Sequence, residues 1–301
     1  MMISSWFQIL IAFFMLTATS SCQGPVDLNN DNVHPGKQKE DEERAYTQIL
    51  RIGGYQYPEP QGGDCWGDLF FQFTSFNSCV RVYDLALKKL IQTVEIPSSE
   101  RGFVKDCHCN TVCFGSDYYD LNDEFPLIYV STGNAYKGYT GALVYRILRD
   151  QDQFSFTLVQ TILFPEDRSS WTEFVPAGDY AYLCYTTERV IFKFPMPKLE
   201  NGNIVVLSRL MAMESYQFSP QPDWMFTSRN QDRLFHEGKI LYISGVPTAE
   251  ASVFVELNLE TLERDRIINF QEIGLLKESE SLFSWRGDIC VAFLDQIVIL
   301  K

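Results

Sequence analysis

From residue 45 to residue 301, apolar and polar positions alternate over short runs with a period of two rather than the 3.6 of an amphipathic helix. One of these short runs is residues 126–131. Such runs, bounded by polar turn residues, predict short strands and an all-β fold. Four runs begin with a glycine and a charged residue: Gly67-Asp68, Gly178-Asp179, Gly238-Lys239 and Gly287-Asp288.

The spacing of these starts, about 50 to 60 residues, is typical of propeller blades and longer than that of most solenoid repeats. Each start leads into a second strand and, after a polar turn, a third, as in residues 80–96 and 253–268. We predict a single β-propeller of five blades. Six blades are the alternative, because the long second and fourth repeats have room for extra strands.

The two ends of this region complement each other. The chain ends on an apolar strand, residues 296–301, that has no later partner, and residues 45–52 have the character of an outer strand. Pairing the two would close the ring and remove the exposed edges that an open sheet leaves. We therefore expect the N-terminal strand to pair with the C-terminal strands.

The N-terminus has the features of an export signal. Residues 6–16 form an apolar run that is too short to cross a bilayer as a helix and suits the hydrophobic part of a signal peptide. Ser20 and Ser21 precede Cys22, which resembles a bacterial lipobox, where the cysteine is diacylated. We predict a lipoprotein signal peptide at residues 1–21 and lipidation of Cys22. An ordinary cleaved signal and an uncleaved anchor are the alternatives.

The segment after Cys22 is polar. It is rich in Asp, Asn, Gly, Pro, Lys and Glu and contains too few apolar residues to offset the entropy of ordering. We predict a flexible tether at residues 22–44 and the propeller domain at residues 45–301. His34 lies in this tether.

The charge balance limits the partners. The chain has 39 acidic and 25 basic residues, a net charge of −14. Without a Lys/Arg cluster it lacks the electrostatic footprint that phosphate backbones demand, so we expect no nucleic-acid partner. The same charge opposes adsorption to anionic lipids, so membrane attachment would come from the lipid anchor only.

Residues 106–131 resemble the second-blade region of a group of uncharacterised β-propeller lipoproteins of Bacteroidales. In that group an Asp-x-His-x-Asn strand leads to Phe-Gly and then to a strand of the form Phe-Pro-Leu-(Ile/Leu)-Tyr-(Ile/Val)-Ser. Here Asp106, His108 and Asn110 begin the match, followed by Phe114-Gly115 and residues 125–131. The resemblance implies a propeller fold, lipid anchoring and a Bacteroidetes host, and it implies no activity.

The expected location is the bacterial outer membrane. In Bacteroidetes lipoproteins an acidic run directly after the lipidated cysteine marks export to the outer surface. Here the acidic run begins only at Lys39. The periplasmic and the surface face therefore both stay open.

We predict neither a metal nor a cofactor. Residues 117–124 are dense in the oxygen ligands that Ca²⁺ prefers, but they lack the EF-hand spacing and suit a solvated loop. Cys107, Cys109 and Cys113 would point to one side of a strand, which spreads them too far apart for a tetrahedral zinc site. We expect these cysteines to pack in the core. The disulfide state of the seven non-lipidated cysteines stays open.

The sequence has no motif of a nucleophilic hydrolase, a zinc protease or a phosphate-binding loop. Outside the tether only His108 and His236 are available as bases. Glycoside hydrolysis needs only two carboxyl groups. The alternative function is therefore a carbohydrate-active enzyme with paired carboxylates on the propeller axis. Acidic residues near predicted inner strands are Asp64, Asp106, Glu173, Asp223 and Glu280.

The favoured function is a non-catalytic binding or scaffold module for a glycan or a protein partner. Ligands of propellers usually meet the loops at one end of the central channel, where we expect the inner strands to start. An aromatic side chain beside a charge suits sugar stacking or capture of a peptide end, although Trp66 and the other tryptophans equally suit packing between blades. The predicted ligand-binding residues are Asp106, His108, Trp171, Asp223, Trp224, Arg233 and His236. The oligomeric state is not indicated.

Overall fold

The computed structural model describes residues 45–53, 57–101, 108–137, 139–166, 172–185, 190–218, 230–245 and 252–301. These residues form five separate sheets, arranged as the blades of a β-propeller. The prediction of an all-β propeller with five blades is confirmed. None of the described segments is a helix of the length and apolarity needed to cross a bilayer.

The first described strand, β1 (Tyr46–Arg51), belongs to the last blade. Blade 1 contains, from the innermost strand outwards, β2 (Pro60–Trp66), β3 (Leu69–Thr74), β4 (Cys79–Asp84) and β5 (Lys89–Glu95). Blade 2 contains β6 (Val112–Phe114), β7 (Ile128–Tyr136), β8 (Tyr139–Asp150) and β9 (Gln153–Leu163).

Blade 3 contains β10 (Thr172–Ala177), β11 (Tyr180–Tyr185), β12 (Val190–Pro195) and, after β13 (Ile204–Val206), β14 (Glu214–Gln217). Strand β13 leaves its own blade and pairs in parallel with β9 on the outside of blade 2. Blade 4 contains β15 (Asn230–His236), β16 (Lys239–Ser244), β17 (Val253–Asn258) and β18 (Arg264–Asn269). Blade 5 contains β19 (Ser279–Trp285), β20 (Asp288–Phe293) and β21 (Gln296–Leu300), with β1 outermost.

The two chain ends close the ring. Strand β1 pairs antiparallel with β21, with Tyr46 opposite Leu300 and Arg51 opposite Gln296. The predicted pairing of the N-terminal with the C-terminal strand is therefore confirmed. It leaves Ile297 and Val298 fully buried, so the closure is an apolar contact as well as a hydrogen-bonded ladder.

The glycine-led pairs mark the tight turns between the innermost and the second strand of blades 1, 3, 4 and 5. At Gly67 and Gly178 the backbone φ is +63° and +67°, a left-handed conformation that glycine adopts without steric cost. The following strands β3, β11 and β16 are mostly buried, which explains their apolar composition. In blade 2 a longer loop, residues 115–127, takes the place of the turn.

The core lies between adjacent blades. Phe71 and Phe73 of blade 1 pack edge-to-face against Phe154 and Phe156 of blade 2, with ring centroids 5.7 Å (Phe71–Phe154) and 5.8 Å (Phe73–Phe156) apart. Strands β8 and β9 are longer than the other strands of the propeller, and this length brings the two blade 2 rings onto the neighbouring blade. Each blade thus buries its apolar face against the next one.

Ile297→Ala tests the closure of the ring. Ile297 is fully buried in the closing strand, so its truncation should lower the free energy of unfolding by roughly 2–5 kcal/mol. Gln48→Ala, at an exposed position of the partner strand β1, is the matched control and should change it by less than about 0.5 kcal/mol. Urea unfolding followed by tryptophan fluorescence measures both. Equal, small effects would contradict the closure.

Candidate functional site

The innermost strands bring a group of ionisable side chains together in the interior of the wheel. They are Asp64 of β2, Glu173 of β10, Asp232 and Arg233 of β15, and Glu280 of β19, and we call them the axial cluster. Each is at most 7% exposed. The thiol of Cys113 on β6 is within electrostatic reach of three carboxyl groups of this cluster, which come from three other blades.

Two aspartates of the axial cluster link neighbouring blades in the same way. The Asp64 carboxyl accepts one hydrogen bond from the amide that follows it (2.7 Å) and another from the Phe114 amide of blade 2 (2.7 Å). The Asp232 carboxyl likewise accepts from its own following amide (2.7 Å) and from the Leu282 amide of blade 5 (2.8 Å). Each carboxyl therefore satisfies buried backbone donors on two blades at once.

Two serines bridge two further junctions. The Phe174 amide of blade 3 donates to the Ser131 hydroxyl of blade 2 at 2.8 Å. The Ser281 hydroxyl of blade 5 donates to the Gln61 carbonyl of blade 1, also at 2.8 Å. The remaining junction, between blades 3 and 4, is bridged by a buried ion pair.

That ion pair joins Glu173 to Arg233. Burial raises the pKa of Glu173, and Arg233 offsets part of the rise. The guanidinium also lies 4.9 Å from the centroid of the Tyr242 ring. With this pair, all five junctions between neighbouring blades have a buried polar link near the axis.

Burial shifts the acidities of the other cluster members. It raises the pKa of Asp64 to about 7, against the lowering effect of the two backbone hydrogen bonds. It also raises the pKa of Asp232 and Glu280 well above the usual range, with a further contribution from neighbouring carboxyl groups. Burial therefore favours the protonated forms of Asp232 and Glu280 up to a higher pH than for exposed carboxyl groups.

The structure describes three of the predicted ligand-binding residues, His108, Arg233 and His236, and these three lie apart from one another. His108 is exposed ahead of β6, at the end of the wheel where the innermost strands start, and its Nδ1 lies 3.2 Å from Gln61 Oε1. Arg233 is buried in its ion pair. His236 ends β15, at the opposite end of the wheel, with its Nε2 4.0 Å from Glu237 Oε1. The described residues do not include the remaining predicted positions, which are Asp106, Trp171, Asp223, Trp224 and the lipidation site Cys22.

The separation has a simple cause. The glycine-led turns follow the innermost strands instead of preceding them, so residues beside those turns lie at the strand ends. Trp66 is one of them, because it is the last residue of β2. A site at the inner-strand starts stays a prediction that depends on His108 and on residues outside the described part of the chain.

Two exposed aromatic residues, Trp66 and Tyr180, lie at the other end, where the innermost strands turn into the second strands. We call this end the hairpin face. Trp66 is 38% exposed, and its ring centroid lies 5.7 Å from that of Phe114 and 6.5 Å from that of Tyr118. On blade 3, Tyr180 is also exposed, with Lys193 Nζ 4.4 Å from its ring centroid.

Blade 5 adds a charged pair beside an aromatic ring. The Trp285 indole donates to an Asp68 carboxylate oxygen at 2.9 Å, and Arg286 forms a salt bridge with the same carboxylate at 3.0 Å. The Arg286 guanidinium also stacks 4.7 Å from the Trp285 ring centroid. We define the hairpin-face arc as Trp66, Asp68, Tyr118, Tyr180, Trp285 and Arg286.

Sequence reasoning singled out only Trp66 from this arc. Asp68, Tyr180, Trp285 and Arg286 lie within two residues of the glycine-led turns, which was the available signal. Tyr118 lies in the long loop of blade 2, where no such turn marks it.

Three of the four acidic side chains in the loop at residues 117–124 pair with basic residues of the protein. Asp117 pairs with Lys198 at 2.8 Å, and Asp123 pairs with Arg146 at 2.6 Å. Glu124 pairs with Arg149. Within the described segments, no three His, Cys, Asp or Glu side chains are grouped closely enough to hold a metal ion.

The described cysteines carry free thiols, and Cys107 lies outside the described residues. Cys109 and Cys113 are buried, as core packing predicts. They pack in different clusters, Cys109 between blades 1 and 2 and Cys113 with residues of blades 3 and 4, because the strand begins only at Val112.

Comparison with known proteins finds similarity only to solved structures. No protein-family model and no curated protein matches the chain. The glutaminyl cyclase of Myxococcus xanthus aligns over 85% of this chain and 95% of its own, with 9% identity and a TM-score of 0.52. A PQQ-bound aldose sugar dehydrogenase from Streptomyces coelicolor aligns over 86% and 98%, with 9% identity and a TM-score of 0.48. A protein of unknown function from Bacteroides caccae aligns over 81% and 82%, with 12% identity and a TM-score of 0.41.

At such identities the likeness shows the fold alone. The chain is a β-propeller, a fold that it shares with proteins of various and of unknown function. Binding and enzymatic roles are both compatible with it.

Asp64→Asn tests the burial of the axial cluster. The folded-state pKa of Asp64 is raised from 3.8 to about 7, so between these pH values the folded protein binds more protons than the unfolded protein. The free energy of unfolding therefore falls as the pH rises through this window. The effect is on the order of 4 kcal/mol and levels off above about pH 7. Asp64→Asn should flatten this part of the stability profile, measured by urea unfolding at pH 4 to 8.

Asp152→Asn, in an exposed turn, is the control and should leave the slope unchanged. Parallel slopes for the wild type and Asp64→Asn would show that Asp64 titrates normally, contrary to its burial.

Proposed function

We propose that the protein is a non-catalytic binding module that holds a glycan or a protein partner at the hairpin-face arc. One contrast carries the proposal: three of the carboxyl groups near the axis are buried links between blades, whereas the rings of Trp66 and Tyr180 on the hairpin face are exposed. Exposed rings beside the Asp68–Arg286 pair suit stacking against a sugar. Trp, Tyr and Arg are also the side chains enriched where proteins bind proteins.

We further propose that the module is lipid-anchored in the outer membrane of a Bacteroidetes cell. The support is the Ser20-Ser21-Cys22 sequence, the polar segment that follows it, and the resemblance of residues 106–131 to Bacteroidales propeller lipoproteins. Such an anchor would keep an acidic domain at a membrane surface that its charge does not favour.

A carbohydrate-active enzyme is the second candidate. The observation in its favour is the raised pKa of Asp64 and Glu280, since a carboxyl group that stays protonated near neutral pH can act as a general acid. Against it, both groups are almost completely buried, and Asp64 is hydrogen-bonded to the backbone of two blades.

A glycan array followed by product analysis separates the two candidates. The wild type should retain a glycan and release no shortened product. Trp66→Ala should weaken retention by about tenfold, because it removes the exposed ring of the arc. Tyr57→Ala, which removes an exposed ring outside the arc, is the control and should have no effect. Release of products that stops in Asp64→Asn would establish the enzyme instead.

Cys22→Ser tests the anchor. In cells fed with radiolabelled palmitate, the wild-type protein should carry label and partition into the detergent phase of a Triton X-114 extract. The variant should carry no label and move to the aqueous phase, since its only acyl attachment point is gone. Labelled Cys22→Ser protein, or unlabelled wild type, would contradict the proposal.

A further inference from the structure

A groove on the rim of the wheel lies outside both the axial cluster and the hairpin-face arc. It follows residues 157–161 of β9, the outer strand of blade 2, and is bordered by Tyr119 and Tyr136 of the same blade. Asn203 and Ile204, which lead into β13, complete it from the side of blade 3. Its volume of about 750 Å³ is in the range of small-molecule binding sites.

Gln160, which lines this groove, has a hydrogen-bond acceptor that the described residues leave unused. The side chain is 2% exposed, and its Nε2 donates to the carbonyls of Lys198 and Gly202, both at 2.9 Å. The two carbonyls fix the amide orientation, because the flipped amide would set Oε1 against them. In the described part of the protein, Oε1 then accepts no hydrogen bond. A buried acceptor without a donor is costly, so a ligand hydroxyl there would be favourable.

The lining is uncharged. Although 21% of the chain is Asp, Glu, Lys or Arg, none of these side chains, and no histidine, lines the groove within the described residues. The basic side chains of Arg146 and Lys198 are already paired, with Asp123 and Asp117, and the Glu100 carboxylate accepts the Leu158 amide of the groove strand at 2.8 Å. An anionic ligand would lose its hydration without gaining a counter-charge, so the groove favours a neutral one.

Tyr119 supplies a ring for such a ligand. It is exposed, and the Arg146 guanidinium lies 4.6 Å from its ring centroid, which together with the Asp123 salt bridge holds the ring in place. Rings of this kind stack against the apolar faces of sugars.

We propose that the rim groove binds a neutral saccharide, with one sugar hydroxyl donating to Gln160 Oε1 and a pyranose face against Tyr119. The site does not depend on the hairpin-face arc. Tyr118, which contacts Trp66, and Tyr119, which borders the groove, are consecutive, so the loop at residues 115–127 touches both sites.

The test uses neutral hexose oligosaccharides and their uronic-acid counterparts, titrated calorimetrically into the purified protein. The wild type should bind neutral members at least about tenfold more tightly than acidic ones. Tyr119→Ala removes the ring, and Thr157→Trp fills the groove from an exposed strand position. Each should weaken binding by about tenfold or more. Tyr57→Ala, which removes an exposed tyrosine ring outside both the groove and the hairpin-face arc, is the matched control and should bind normally.

Circular dichroism of each variant shows whether it is folded, and Tyr119→Phe provides a second test because it keeps the ring and should bind normally. The proposal is overturned if no neutral oligosaccharide binds, if the uronic acids bind equally well, or if binding survives in Thr157→Trp. Binding that is lost in Trp66→Ala but kept in Tyr119→Ala would place the saccharide on the hairpin-face arc alone. Binding lost in Tyr119→Ala but kept in Trp66→Ala supports the groove, whatever the arc binds.

Discussion

The wheel depends on polar links between the innermost strands of neighbouring blades. These strands lie away from water, where an unpaired amide or carboxyl group is costly, so each blade has to satisfy donors of the next one. Asp64 and Asp232 do so by accepting amides from two blades each. Two serines and the Glu173–Arg233 pair complete the ring. Asp64 and Glu173, two of the acids that suggest catalysis in the sequence, are therefore part of what holds the blades together.

This arrangement determines where the protein can meet a ligand. Because the described axial groups are buried, the surfaces that we propose for binding are the hairpin face and the uncharged groove on the rim. Both surfaces are built on strand ends or outer strands of the blades, which hold their side chains in place, and neither uses the buried side chains of the axial cluster. The long loop of blade 2 borders both surfaces, because the consecutive residues Tyr118 and Tyr119 face one each.

Local patterns were enough to predict the fold. Period-two alternation and the glycine-led turns identify the blades, and the unpartnered last strand predicts the ring closure that β1 and β21 form. The site was less predictable, since its contacts join residues far apart in the sequence. Glu173 and Arg233 are 60 residues apart, and β13 crosses from blade 3 to pair with blade 2. The free acceptor of Gln160 likewise follows from the carbonyls of a loop some 40 residues further on. No local signal marks such contacts.

The central claim is that the axial carboxyl groups are buried in the interior of the wheel, away from water. A pH titration of side-chain carboxyl carbons by ¹³C NMR, with Asp64, Asp232 and Glu280 assigned by single substitution, tests it most directly. The account predicts that Asp64 titrates near pH 7 and that Asp232 and Glu280 titrate well above the usual range of carboxyl groups. Ordinary midpoints near pH 4 for all three would show that water reaches the axis, and would contradict it.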